Sequence, residues 1–157
     1  MDTTLQTKTK TTLPKSTWLA LILLGFAGQL AWGVENQYFN TFVYDNITPD
    51  PRPISWMVAA SAITATATTI LIGALSDQTR SRWGKRKPFI LLGYLAWGIL
   101  TALFPTTAYL KPVGLAIGTA ILFDCLMTFF GSTANDAALN AYVTDVTVKE
   151  NRGRVVG

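Results

Sequence analysis

The chain of 157 residues contains no histidine and a single cysteine, Cys125, and only 14% of its residues are charged. One cysteine excludes a disulfide within the chain, and the lack of histidine excludes histidine-containing zinc sites and catalytic triads. Soluble domains usually carry about 25% charged residues. A chain with so little charge and 50% hydrophobic residues is therefore expected neither to be disordered nor to fold as a water-soluble globule.

The thirteen lysines and arginines fall into five short clusters of three, one, five, one and three residues. These clusters leave four stretches that contain no basic residue. Each stretch has a core of about 20 residues, which is the length that a helix needs to cross a bilayer. The predicted spans are Trp18–Phe42, Ile54–Leu75, Pro88–Phe104 (with room to extend to Tyr109) and Val113–Ala134.

The basic clusters also predict the orientation of the spans. Four crossings place eleven basic residues on the side of the two termini and two on the other side. Because short cytoplasmic loops are enriched in lysine and arginine, both termini are expected in the cytoplasm, with the chain a multi-pass protein of the cell membrane. The predicted fold class is an all-α membrane protein with four transmembrane helices after a cytoplasmic tail over residues 1–16. The basic residues are then loop residues, which argues against a nucleic-acid partner.

Polar side chains interrupt the first span near its outer end. Glu35 lies about 25 Å along the helix at 1.5 Å per residue, and Gln29, Gly33, Asn36 and Asn40 share one helical face. A polar face exposed to lipid costs several kcal/mol, so this face is expected to look into protein or water. Glu35 is interpreted either as a substrate or proton site or as a carboxylate at the outer interface.

A second acid lies in the middle of the fourth span. Asp124 follows Pro112 by about twelve residues, or ~18 Å of helix, and Thr128 continues its face toward the cytoplasm. Acidic residues at this depth usually mark ion or substrate paths. A structural hydrogen bond to a neighbouring helix is the alternative interpretation of Asp124.

The loop between the second and third spans reads GALSDQTRSRWGKRKP from Gly73 to Pro88. Asp77 lies at the C-terminal end of the second helix, where a carboxylate is unfavourable unless it is compensated. The basic residues that follow offer such compensation, Gly84 lets the loop turn, and a proline starts the third helix. A simple basic stop-transfer loop needs only basic residues. This loop also contains glycines and an acid beside paired basic residues, which argues against that interpretation.

This loop resembles the signature between helices two and three of the major facilitator superfamily. With the segment Ala138 to Asp145 and the later Arg152-Gly153-Arg154, it is similar to the glycoside–pentoside–hexuronide cation symporters and the sucrose-type carriers. The resemblance implies twelve helices in two six-helix halves with the substrate between them. Residues 17–157 are then expected to form helices one to four of a truncated transporter, whose missing remainder is its partner.

The resemblance implies secondary active transport, with sugar or glycoside:proton symport as the leading interpretation. Sodium is the alternative coupling ion, but the second span carries no acid, which favours a proton. The residues expected to line the substrate and cation path are Gln29, Glu35, Asn36, Asp124 and Thr128. Those expected to act as a conformational latch are Gly73, Asp77, Arg80, Gly84, Lys85 and Arg86.

Two other functions stay open at this point, namely a facilitator-type exporter of drugs or metabolites and a four-helix membrane module that transports nothing. An enzyme is not expected, because the sequence offers no nucleophile–base pair and no metal cluster, and no cofactor is expected either. Trp32, Tyr38 and Trp97 are available to stack on a sugar ring, although aromatic residues near helix ends also commonly anchor a protein at the membrane interface.

Overall fold

The computed structural model describes residues 14–79, 82, 84 and 86–146. Within these residues the chain is helical and contains no β-strand. Four of its helices are long and apolar enough to cross a membrane, as the spacing of the basic residues predicts. The first thirteen residues of the predicted tail lie outside the described part of the chain, and the first helix begins at Lys15.

The first two helices extend beyond the predicted spans at both ends. Helix α1 contains a π-helical stretch, in which the turns are wider than in an α-helix. Helix α2 begins with Asp50 as its N-cap and a proline in its first turn, a combination that satisfies a free backbone N–H and pre-sets the backbone. The bounds are Lys15–Val34, π-helical Glu35–Phe39 and Asn40–Asn46 for α1, and Pro51–Gln78 for α2.

The last two helices are each built from more than one helical type. Helix α3 ends in a tighter 3₁₀ turn, and helix α4 contains a second π-helical stretch. The polar segment that follows the fourth predicted span continues α4 without a break. The bounds are Lys87–Leu103 and the 3₁₀ turn Phe104–Tyr109 for α3, and Val113–Gly131, π-helical Ser132–Leu139 and Asn140–Val146 for α4.

Helix α4 is the centre of the arrangement and packs against α2 and α3 along much of its length. A larger apolar cluster fills one half of the bundle, where Trp97 and Phe104 are almost completely buried. A smaller cluster fills the other half, in which α3 begins, and joins Leu21 of α1 to Ile90 of α3 and Leu139 of α4. Both clusters contain residues of α1, α3 and α4, which fixes these three helices against one another.

The outward faces of the helices are strongly apolar. Leu23, Phe26, Ile63, Ile70 and Leu92 are each more than half exposed. Exposed apolar surface of this extent is rare on a soluble monomer, whereas it is favourable toward lipid tails. The exposed apolar side chains therefore support the placement of these helices in a lipid bilayer.

Small residues allow the helix backbones to approach closely, which is a common basis of packing inside membranes. A Cβ atom at Gly93 of α3 would lie 2.7 Å from the Cβ of Ala134 and 2.9 Å from the carbonyl oxygen of Phe130 on α4. Because one of these atoms belongs to the backbone, a side chain at Gly93 can be accommodated only if α3 and α4 move apart.

Gly93→Ala is expected to lower the stability of the purified protein in detergent by about 1–3 kcal/mol, the usual cost of overpacking. The measurement is the thermal unfolding temperature followed by tryptophan fluorescence. Gly98→Ala is the matched control, since Gly98 lies on the same helix and a Cβ there would meet nothing within 4 Å. Equal unfolding temperatures for the two variants would contradict the close contact of α3 with α4.

Candidate functional site

Glu35 lies at the start of the π-helical stretch of α1 and is only 5% exposed. Its carboxylate accepts two hydrogen bonds from two other helices. The indole Nε1 of Trp97 on α3 donates to Oε2 at 3.0 Å, and the hydroxyl of Thr128 on α4 donates to Oε1 at 2.8 Å. Among the described residues, no lysine or arginine pairs with Glu35. A buried acid is thus held by neutral donors alone.

Trp97 is itself fixed by packing. Its side chain is 2% exposed and its ring makes an edge contact with Trp32 at a centroid distance of 5.7 Å. Gly131 leaves room for the ring, because a Cβ there would lie 2.9 Å from Cε2 of Trp97. The indole N–H therefore has a defined position opposite Glu35. Since the ring is enclosed by protein, Trp97 is not placed to stack on a sugar.

Asp124 lies one helical turn before Thr128 on α4 and is 4% exposed. Ser61 of α2 interacts with this carboxylate, although its hydroxyl donates to the backbone oxygen of Met57 at 2.9 Å. The charge of Asp124 also acts on Glu35. Two predicted path residues on α4 therefore interact with Glu35 on α1, Thr128 by a hydrogen bond and Asp124 by its charge.

The other two predicted path residues are not part of this cluster. Gln29 and Asn36 are exposed on a different face of α1 from Glu35, and Gly33 between them is exposed as well. The side chain of Asn36 donates to the backbone oxygen of Trp32 within the same helix at 2.9 Å. Helix α1 therefore carries an inward acid and an outward polar stripe on two different faces.

A second polar contact joins α1, α3 and α4 closer to the start of α3. The hydroxyl of Tyr94 lies 2.9 Å from the backbone oxygen of Leu24 and 3.1 Å from Oδ1 of Asn135. A Cβ at Gly28 would lie 2.4 Å from Oδ1 of Asn135, so the glycine permits this crossing. Asn135 in turn donates to the carboxylate of Asp136 at 3.1 Å. None of these residues stood out in the sequence as members of one site.

Arg86 is the centre of a polar cluster at the C-terminal ends of α2 and α4. Its guanidinium donates through Nε to Asp145 at 2.9 Å and through Nη1 to the hydroxyl of Ser76 at 2.7 Å. Nη2 forms a short hydrogen bond and ion pair with Asp77. The Arg86 side chain is 8% exposed, whereas those of Asp77 and Asp145 are 60% and 37% exposed. One buried cation thus ties the end of α2 to the end of α4.

The electrostatics of Arg86 favour its charged form. Burial of the guanidinium opposes the charge, but the hydrogen bond and charge of Asp145, followed by those of Asp77, outweigh burial and raise the pKa of Arg86 above its ordinary value. Asp77 lies in the last turn of α2, where the helix dipole disfavours a carboxylate. The compensation expected from the sequence is therefore supplied by Arg86.

The remaining loop residues are placed as follows. A Cβ at Gly73 would meet nothing within 4 Å, and Gly84 has a φ of +97°, which glycine adopts without strain. Arg80 and Lys85 lie outside the described residues. Three of the predicted latch residues, Gly73, Asp77 and Arg86, therefore belong to the described ends of α2 and the start of α3, with Gly84 between them.

Two important partners were not identified as site residues from the sequence. Trp97 was considered only as a surface for a sugar, and its hydrogen bond to Glu35 spans 62 positions. Asp145 was noted within a family-like segment, and its bond to Arg86 spans 59 positions. The sequence signal for these two pairs is that the partners lie at similar depths in the membrane. Many other residues lie at the same depths, so this signal does not single out Trp97 or Asp145.

Comparison with known proteins gives a family and a relative. The sequence profile of the Major Facilitator Superfamily matches residues 17–157. The inner membrane symporter YicJ of Escherichia coli strain K12 is 41% identical over 59 residues, which is 38% of this chain and 13% of the relative. No solved structure matches the chain significantly. The family match confirms the resemblance seen in the sequence, and both findings point to transport rather than catalysis.

Proposed function

Because the chain belongs to the Major Facilitator Superfamily, we propose that it is part of a secondary active transporter that couples a sugar or glycoside to protons. The observation that carries the proposal is Glu35, an acid that is buried between three helices and bonded by Trp97 and Thr128, with no basic partner in the described part of the chain. Ionisable groups inside membrane segments are costly, and they commonly serve proton relays or ion paths. A carboxyl group in this position is suited to bind and release a proton.

The outward stripe on α1 supports a substrate face separate from the acid. Gln29 and Asn36 offer amide donors and acceptors, which are suited to the hydroxyl groups of a sugar. Their exposure on a membrane helix is unfavourable in lipid, so they require water or further protein. The stripe thus faces a cavity that is closed by the rest of the transporter, the partner proposed for this chain. The sugar assignment follows the sequence resemblance to glycoside and sucrose-type carriers.

The cytoplasmic cluster supports a latch that controls the relative position of α2 and α4. Arg86 makes bonds to both helix ends, and the side chains of Asp77 and Asp145 remain partly open to water. A tie of this kind can break and reform when helices move, since the released carboxylates gain hydration. We place Gly73, Gly84 and the undescribed Arg80 and Lys85 in the same latch on the basis of the sequence motif.

The proposed orientation puts both termini of the chain and this latch in the cytoplasm. Reporter fusions at Asp50 and at Arg82 are expected to lie in opposite compartments, with the Arg82 fusion cytoplasmic, because the loop around it is rich in basic residues. Alkaline phosphatase and fluorescent-protein fusions measure the two sides. Activity of both fusions in the same compartment would contradict the four crossings.

The proposed function is tested by uptake of radiolabelled sugars and glycosides into liposomes that contain the full-length polypeptide carrying these helices. An inward proton gradient is expected to drive accumulation, and a protonophore is expected to abolish it. Accumulation driven by a sodium gradient at constant pH would contradict the proton as coupling ion. Gradient-driven extrusion of drugs, without sugar uptake, would replace the proposal with the exporter.

A further inference from the structure

The two oxygens of Glu35 face hydrogen-bond partners of different kinds. Oε2 faces the indole N–H of Trp97, and Oε1 faces the hydroxyl of Thr128. An indole N–H is a donor only, whereas a threonine hydroxyl can donate one hydrogen bond and accept others. The two partners therefore respond differently when the carboxylate gains a proton.

Protonation converts one carboxylate oxygen into an O–H donor that needs an acceptor when it is buried. Trp97 cannot supply that acceptor, and a proton on Oε2 would also point at the indole N–H. The hydroxyl of Thr128 can rotate to accept a hydrogen bond from the O–H on Oε1 and direct its own hydrogen to the backbone oxygen of Asp124, four residues earlier in the helix, while Oε2 keeps its bond from Trp97. Both partners are then satisfied in the ionised and in the protonated state.

We propose that the proton binds to Oε1 of Glu35, the oxygen that faces Thr128, while Trp97 holds Oε2 in both charge states. This inference rests on the proposed function, in which Glu35 carries the coupling proton. Trp97 and Thr128 are positioning residues, since each acts through Glu35. The step is the transfer of a proton from a hydronium ion to Oε1 and back, in which one O–H bond of hydronium breaks, one O–H bond forms at Oε1 and a water molecule is left.

The surroundings of Glu35 are consistent with this assignment. The packing of Trp97 against Trp32 and Gly131 prevents the indole from turning away. Among the described residues, Asp124 is the ionisable group whose charge acts on Glu35, and it lies on the Thr128 side, one turn away on α4. Two carboxylates in one neighbourhood repel each other when both are ionised, so protonation of Glu35 relieves this repulsion.

Infrared difference spectroscopy of the full-length protein in liposomes tests the inference during a pH titration. The C=O band that disappears in Glu35→Gln is the band of protonated Glu35. In Trp97→Phe this band is expected to move to higher frequency, because Oε2 loses its donor. In Thr128→Val the frequency of the C=O band is expected to stay unchanged. The O–H band of the acid is expected to move to higher frequency, because this O–H loses its acceptor. In Thr128→Ser the O–H band is expected at its original frequency.

The opposite pattern overturns the inference. A C=O band that moves in Thr128→Val and stays fixed in Trp97→Phe would place the proton on Oε2. The nearly isosteric Thr128→Val and Thr128→Ser decide the question by themselves if Trp97→Phe does not fold. If the infrared bands of Glu35 follow the expected pattern but uptake does not depend on the proton gradient, the proposed function is contradicted. The assignment of the proton to Oε1 then still holds.

Discussion

Replacement of Glu35 with glutamine is expected to abolish proton-driven accumulation of substrate while exchange of substrate across the membrane continues. Glutamine has the size of a protonated glutamic acid. Its amide oxygen can still accept from Trp97, and its NH₂ group can donate to the hydroxyl of Thr128 once that hydroxyl has rotated. The helices therefore keep their contacts, and only the capacity to bind and release a proton is lost.

The size of this effect follows from the driving force. One charge moved across about 100 mV is worth about 2.3 kcal/mol, so one coupled proton supports an accumulation of about 50-fold. Glu35→Gln is expected to reduce the ratio of internal to external substrate from such a value to about one. The measurement is the steady-state uptake of labelled substrate in liposomes under an imposed proton gradient, with counterflow measured in parallel.

Asp124→Asn is the matched control, since it removes the other buried acid of the same region. Its carboxylate neighbours Ser61 of α2 rather than the donors of Glu35. If both variants lose accumulation and keep counterflow, the two acids share the coupling role. If Asp124→Asn alone loses accumulation, Glu35 is a structural residue and the proposed proton site is wrong.

The four spans could be predicted because the positions of the basic residues along the sequence are sufficient to mark them. Lysine and arginine are excluded from the hydrocarbon, so their spacing along the chain marks where each helix enters and leaves it. The helix ends are less well marked. Asn46 and Gln78 lie three to four residues beyond the predicted ends, because helical hydrogen bonding continues past the hydrocarbon boundary wherever no proline interrupts it.

The partners of Glu35 could not be predicted, because sequence gives the depth of a residue and not the direction in which it points. Gln29 and Asn36 share a face with each other, and the sequence placed them with Glu35 in one path. The structure separates them, with Glu35 directed to α3 and α4 and the amides exposed. The hydrogen bond to Thr128 spans 93 positions, and only the packing of the helices defines it.

The two π-helical stretches also have no clear sequence signal. One begins at Glu35 and the other at Ser132, one turn after Thr128. Such stretches widen a helix and are often found at functional sites. Here the first stretch contains Glu35, and the second begins one turn after Thr128, which donates to Glu35. Both stretches change which side chains of α1 and α4 face the bundle. The regular 3.6-residue period, on which a helical face is assigned from sequence, fails at these points.

Replacement of Arg86 with alanine is expected to destabilise the end of the bundle that holds Asp77 and Asp145 by about 1–2 kcal/mol. A buried charge pair can be worth more, but Asp77 and Asp145 are partly exposed, and water compensates them when the guanidinium is removed. Ser76 keeps its own hydrogen bond to the backbone oxygen of Gly73. Arg86→Lys is expected to rescue little, because one ammonium group cannot reproduce the planar fork of a guanidinium.

Thermal unfolding in detergent measures the loss, and Arg82→Ala is the control, since Arg82 is an exposed arginine of the same loop. A double-mutant cycle with Asp145→Asn separates the tie between α2 and α4 from general effects. A coupling energy near 1 kcal/mol is expected for partners in direct contact. Since about 1.4 kcal/mol corresponds to a tenfold change in an equilibrium, the loss of about 1–2 kcal/mol expected for Arg86→Ala corresponds to a shift of about 5- to 30-fold in the balance between latched and released helix ends. Additive effects of the two substitutions would show that Arg86 and Asp145 stabilise their helices independently and that no latch joins α2 to α4.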